Sequence, residues 1–254
     1  MPINLYTDVH QAFSFSDAPQ LSLQPARKDE QKGMLLKIIQ TVEGNPLVLE
    51  LLETLKARIG EHYYHSLRVG AMFRELTLRE KELGLNLSSY TLEVAGLLHD
   101  YGKTKIPQVV LHKQGKLLPS EQEVMHTHNR LAVASPEIRH LDHNFYPHLC
   151  AIIVAHHPYP RKENARRYHE RRHLLLLTGG GERSGERRRY ERRTTNPPVL
   201  RVGMLLALAD QYDALSSGRE YKSPLPVEEV RKELEQNFPG EKIEDLINGY
   251  SVRF

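Results

Sequence analysis

The chain has 254 residues, 39% of them hydrophobic and 26% charged, with a formal net charge of +3. That length suits one sizeable helical domain or two small ones, and so small a net charge gives no argument for a nucleic-acid partner. A single cysteine, Cys150 between Leu149 and Ala151, excludes a disulfide framework and suits a reducing cytosol. The N-terminus, MPINLYTDVHQAF, has neither the basic nor the apolar region of a secretory signal. Apolar runs such as 174–177 are far too short to cross a bilayer.

Taken in order, residues 1–30 are polar and mixed, with Pro2, Pro19 and Pro25, and read as an irregular lead-in. Residues 31–59 place Leu35, Ile38, Ile39 and Val42, then Leu47, Leu51, Leu52, Leu55 and Ile59, at helical spacing. Gly44-Asn45-Pro46 breaks this stretch into two helices. Residues 61–81 predict another helix through Leu67, Val69, Met72, Phe73 and Leu76. Ser88-Ser89 caps an apolar helix that runs into His99-Asp100. Ser120, with Glu123 three residues on, reads as the next capped start. A short apolar helix over 148–157 ends at His156-His157, and a strongly apolar one over 199–215 contains Asp210 and Asp213. Short helices from Val227 to Phe238 and from Glu241 to Ile247 close the chain. No stretch sustains the alternation of a strand, so the fold class is all-α.

Residues 158–198 stand apart. Arg161 to Arg193 carry 12 Lys/Arg against 5 Glu, a local net of +7, which leaves −4 for the rest of the chain. Two imperfect copies of Arg-Arg, Tyr, Glu-Arg-Arg flank Leu174–Leu177 and Gly179-Gly180-Gly181. The segment reads as an Arg-rich inserted loop. Its arginine pairs could capture phosphates, a signalling protein partner or a nucleic-acid backbone, or simply be solvated.

Five separate segments offer His or Asp at a helix end or in an apolar run. Glu61 and His65 are four apart and share a helix face. His99-Asp100 ends an apolar helix, with Lys103 one turn on. His126 and His128 follow a capped start, and His156-His157 ends another apolar helix. Asp210 directly follows the apolar run Met204–Ala209, where an unpartnered carboxylate is too costly to bury. Imidazoles and carboxylates in this mixture suit divalent iron, manganese or zinc.

The stretch His99-Asp100-Tyr101-Gly102-Lys103-Thr104-Lys105-Ile106-Pro107 resembles the HD-x-G-K-x-x-I-P signature of the HD-GYP family, a branch of the HD phosphohydrolases. Gly115–Glu121 leading to His128, and Ala209-Asp210-Gln211-Tyr212-Asp213-Ala214-Leu215 continuing to Lys222, are similar to its later motifs. The resemblance covers roughly residues 60 to 230 and implies an HD domain over 60–254, preceded by a lead-in and helices over 1–59. It implies a helical bundle that hydrolyses cyclic di-GMP or a related cyclic dinucleotide. It implies two or three divalent ions, iron or manganese before zinc, nickel or magnesium. Their ligands would be His65, His99, Asp100, His128, His156, His157 and Asp210, with Glu61 added where a third ion is held. Lys103 would contact the phosphate, and Arg219 and Lys222 would hold substrate phosphates.

The sequence departs from the family where Pro158-Tyr159-Pro160 follows His157 in place of Gly-Tyr-Pro. That leaves substrate identity open between a cyclic dinucleotide and another nucleotide, and a binding role as a third reading. His62, His112, His140, His143, His148, His169 and His173 read as surface residues. Asp213 reads as a structural partner near the site. A cytoplasmic protein with no membrane and no nucleic-acid partner is expected.

Overall fold

The computed structural model describes residues 4–14, 37–80, 87–157, 197–217, 223–241 and 243–250. In chain order it forms α1 (Leu5–Ser14), α2 (37–43), α3 (Pro46–Arg58), α4 (Gly60–Leu78), α5 (Ser89–Leu98) and a 3-10 turn (Tyr101–Lys105). There follow α6 (Gln108–Leu111), α7 (Pro119–Met125), α8 (His128–Ala134), α9 (Pro136–Asn144) and α10 (Leu149–Ala155). The last are α11 (Pro197–Ser216), α12 (Val227–Asn237) and α13 (Ile243–Tyr250). Among the described residues there is no strand, in keeping with the all-α reading, and no helix is long and apolar enough to cross a membrane.

Helix α4 is the axis of the bundle. Every residue from His65 to Phe73 is buried, because α1, α3, α5 and α11 all pack against it. Leu67, Val69, Met72 and Phe73 are each wholly inaccessible, and burying each such side chain contributes about 1.5–3 kcal/mol relative to exposure. Helix α10 bridges α5, α8 and α11, and the 3-10 turn lies on α8 and α3. The ends of α5 and α10, the start of α8 and the middle of α11 therefore converge beside the first two turns of α4, at His62 and His65.

Local chemistry sets most boundaries where the pattern predicts them. Asn45 Oδ1 accepts from Leu47 N at 3.1 Å, with Pro46 in the first turn of α3. Ser88 Oγ accepts from Thr91 N at 3.0 Å and starts α5. Two expectations are corrected. Residues 1–30 are not irregular throughout: Leu5, Val9 and Ala12 fall on one face of α1 and are buried. That helix is tied down where Asp8 accepts from Lys56 Nζ at 2.7 Å and from the Tyr63 hydroxyl at 3.2 Å. The start of α7 is shifted too. Its cap is Leu118 rather than Ser120, because Pro119 takes the first helical position, and Glu121 rather than Glu123 accepts the Leu118 N–H at 2.7 Å.

Two glycines permit the approaches that bring the helix ends together. A Cβ on Gly102 would lie 1.7 Å from the His128 carbonyl oxygen and 2.6 Å from Ala132 N. One on Gly203 would lie 2.4 Å from Ala155 Cβ. Gly102→Ala is therefore expected to destabilise the protein by about 3 kcal/mol or more, since the obstacle is backbone and cannot rotate away. Urea unfolding measures this, and an unchanged midpoint would mean that the turn and α8 separate freely.

Candidate metal centre

Asp100 stands where the helix ends meet, buried between the end of α5 and the 3-10 turn that it precedes. Its Oδ1 is 3.3 Å from His128 Nε2 and 3.6 Å from His99 Nε2. Its Oδ2 is 2.7 Å from Lys103 Nζ, 2.9 Å from His62 Nδ1 and 3.8 Å from His65 Nε2. Asp210, partly exposed on α11, places Oδ1 3.0 Å from His65 Nε2 and 3.7 Å from His99 Nε2. The His157 ring centroid is 4.4 Å from those of both His128 and His156.

Three sets of ligand atoms lie within 4.8 Å of one another: His128, His156 and His157; His65, His99 and Asp100; and His99, His156 and Asp210. The sequence-predicted His65, His99, Asp100, Lys103, His128, His156, His157 and Asp210 are thus brought together. Glu61 is exposed in the first turn of α4 and belongs to none of these sets. Arg219, Lys222, the Arg-rich insertion and the Pro158-Tyr159-Pro160 replacement lie outside the described residues.

The imidazoles are oriented by the backbone that carries them. His99 Nδ1 meets Gly96 O at 2.7 Å, His128 Nδ1 meets Met125 O at 2.8 Å, and His156 Nδ1 meets Ile153 O. Each carbonyl lies three residues earlier in the chain, those of Gly96 and Ile153 in the last turns of α5 and α10, where carbonyls lack intrahelical partners. A carbonyl only accepts, so Nδ1 carries the hydrogen and Nε2 is left with a bare lone pair. His65 reaches the same state through Asp213 Oδ2, 2.7 Å from its Nδ1. The Nε2 atoms of His65, His99, His128 and His156 are all buried without a hydrogen-bond partner. An unsatisfied buried polar atom costs about 1–3 kcal/mol, and four beside two carboxylates are what divalent cations would satisfy. The donor set therefore fits metal.

The electrostatics agree with that fit. Burial lowers His128 to about 4 and His156 to about 3 against the pull of the carboxylates, and it holds His157 well below its ordinary value. These rings are neutral donors at ordinary pH. His99 differs: burial lowers it, but the Asp100 and Asp210 carboxylates raise it above its usual value. For Asp100, burial is outweighed by the Lys103 ammonium and His99, and its carboxyl stays well below the usual range. Asp210 is likewise held low, against burial, by His65 and His99. Both carboxylates are ionised.

Two residues of α4 escaped the pattern. His62, read as a surface residue, points inward instead. Its side chain is 18% exposed and its Nδ1 faces both Asp100 Oδ2 and, at 3.3 Å, Lys103 Nζ. Burial and the nearby ammonium lower it to about 3. Its three-residue spacing from His65 was the available signal. Arg68, again three residues on, is the buried partner of Asp213, with Nε 2.6 Å from Oδ1 and Nη2 2.9 Å from Oδ2. Asp213 thus orients His65 and neutralises Arg68, as its structural reading expects.

A helical scaffold that collects buried imidazole lone pairs around an adjacent His-Asp pair defines a protein built to hold divalent cations. The chain belongs to the HD domain family, whose model matches residues 62–215. It is 32% identical over 199 residues to the "Cyclic di-GMP phosphodiesterase" of Thermotoga maritima, covering 74% of this chain and 44% of that protein. It is 30% identical over 192 residues to the "3'3'-cGAMP-specific phosphodiesterase 2" of Vibrio cholerae, covering 74% and 30%. Over a shorter stretch of 68 residues it is 40% identical to that organism's "3'3'-cGAMP-specific phosphodiesterase 1", covering 26% and 15%. The matched stretch spans less than half the length of each relative. These likenesses agree with the HD-GYP resemblance of His99–Pro107.

Proposed function

We propose that this chain is a metal-dependent phosphodiesterase that opens cyclic di-GMP or a related cyclic dinucleotide to a linear product. The observation that carries the reading is the set of four buried Nε2 atoms without a hydrogen-bond partner beside Asp100 and Asp210, with Lys103 at its edge, in a chain similar to proteins named for this activity. His65, His99, Asp100, His128, His156, His157 and Asp210 would hold two divalent ions, iron or manganese, and Glu61 would join them for a third. When bound, such ions supply Lewis-acid activation of water and of the phosphodiester.

The protein's own groups do the rest. Asp100, with one oxygen toward His99 and His128 and the other toward Lys103, His62 and His65, would offer ligand oxygens on both of its sides. Lys103 holds a cationic ammonium beside the centre and stabilises charge developing on phosphate oxygens. The anchored Nδ1 atoms keep the imidazoles from turning as charge builds up. Arg219 and Lys222 would grip substrate phosphates from the segment after α11. The reading places the protein in the cytoplasm, with a signalling partner addressed through the Arg-rich insertion. A second reading, hydrolysis of a different nucleotide, is favoured by Pro158-Tyr159-Pro160 standing where the family has Gly-Tyr-Pro.

Protein purified without oxygen, analysed for metal and incubated with cyclic di-GMP, 3'3'-cGAMP and a panel of other nucleotides tests both readings. Linear dinucleotide is the expected product, read by chromatography. Bound metal with no turnover of either cyclic dinucleotide would overturn the first reading, and turnover of another nucleotide would establish the second.

A further inference from the structure

His62 is not among the residues that the family motifs carry over, yet it completes a triangle at the edge of the centre. Its Nδ1 lies 2.9 Å from Asp100 Oδ2 and 3.3 Å from Lys103 Nζ, while Lys103 Nζ lies 2.7 Å from the same Oδ2. One ring nitrogen cannot donate to the carboxylate and accept from the ammonium at once. His99, His128 and His156 have their tautomers fixed by carbonyls, and His65 by Asp213. The His62 tautomer instead follows whatever occupies Asp100. With hydrogen on Nδ1, His62 donates to Oδ2; with hydrogen on Nε2, it accepts from the Lys103 ammonium. Cations held by Asp100 would compete with both groups for Oδ2 and favour the second arrangement. A His62 ring whose hydrogen has moved to Nε2 then offers Nδ1 as the acceptor nearest the ammonium.

His62 is also poorly placed to be a ligand itself. It joins none of the sets of close ligand atoms found among the described residues. We propose that His62 is a positioning residue for Lys103, taking the ammonium from Asp100 when the centre is loaded and holding it toward the substrate phosphate. The inference rests on the phosphohydrolase reading above for the role of Lys103.

The test is a double-mutant cycle read by calorimetry, with inorganic phosphate as the probe and manganese-loaded protein as the receptor. Wild type, His62→Ala, Lys103→Ala and the double variant are compared, with manganese per chain measured for each. His62→Ala is expected to leave manganese per chain unchanged and to weaken phosphate binding by about tenfold, the size of one hydrogen bond to a charged group. On the Lys103→Ala background the same change is expected to add less than about twofold. His62→Asn, whose side-chain oxygen can take the Nδ1 position, is expected to restore most of the affinity. Equal phosphate affinity in wild type and His62→Ala overturns the inference. So does an equal loss on both backgrounds, or loss of manganese in His62→Ala, which would make His62 a ligand. Cyclic-dinucleotide turnover, assayed alongside, separates the two failures. A wild type that shows the phosphate coupling but turns over neither cyclic dinucleotide removes the proposed substrate and leaves His62's role standing.

Discussion

Asp100→Asn is expected to reduce turnover on the order of 10³-fold or more, with a parallel loss of bound metal. The substitution keeps the shape of the side chain and removes the charge. Asp100 lies within 4 Å of His62, His65, His99, His128 and Lys103, so no other carboxylate here touches as many site groups. An amide has one acceptor oxygen where the carboxylate offers two, and it is neutral beside the Lys103 ammonium. The fold itself should survive, because the core of α4, α5 and α11 is apolar and does not depend on this group. Metal content, thermal midpoint and product formation are measured on the same preparation. A variant with native metal content and native turnover would remove Asp100 from the centre of the chemistry. One that unfolds would show instead that the buried carboxylate is needed for folding.

Asp213→Ala acts through stability and through metal together. Asp213 is 1% exposed and accepts from Arg68 at both oxygens and from His65 Nδ1. Removing it leaves the buried Arg68 guanidinium, among the described residues, with Ala12 O as its remaining hydrogen-bond acceptor. Breaking a buried pair from one side costs about 3–5 kcal/mol. The loss also frees His65 to turn or change tautomer, and losing such an orienting group weakens metal binding by about 10–100-fold. The pH dependence has a definite sign. Burial alone would raise the Asp213 carboxyl, but the Arg68 guanidinium and the His65 hydrogen bond outweigh it and hold the carboxyl far below the ordinary range. A depressed folded value means that the stabilisation is present above the unfolded value of about 3.9 and is lost as pH falls below it. The stability gap between wild type and variant should therefore be constant above about pH 5 and narrow below about pH 4. Urea titrations across pH measure it, and a gap that widens in acid would contradict the pairing.

The parts of the centre that could be read from the chain are those marked by an abrupt change of chemistry. An apolar run that stops at His99-Asp100, another that stops at His156-His157, and Asp210 at the end of the run Met204–Ala209 each stand out because burial makes polar groups conspicuous. The helices carrying them are legible for the same reason. Helix α1 was not, because three prolines dominate the first 30 residues and its apolar face is only Leu5, Val9 and Ala12. The inward position of His62 was beyond the pattern. Spacings of three and four both lie on the face of His65, and only the packing of Asp100 and Lys103 against the first turn of α4 brings His62 to the centre. The Arg68–Asp213 pair joins residues 145 apart in sequence, a distance over which spacing carries no information.

The anchoring of His99, His128 and His156 to carbonyls three residues behind them has a consequence for how the centre is filled. Each of these three imidazoles is aimed by its own short stretch of chain rather than by a shared partner. A disturbance at one anchor misdirects one imidazole and leaves the other two in place. Rings held by these hydrogen bonds would leave little ordering entropy to oppose capture of an ion. Loading should then resemble insertion into a mould rather than folding around a guest.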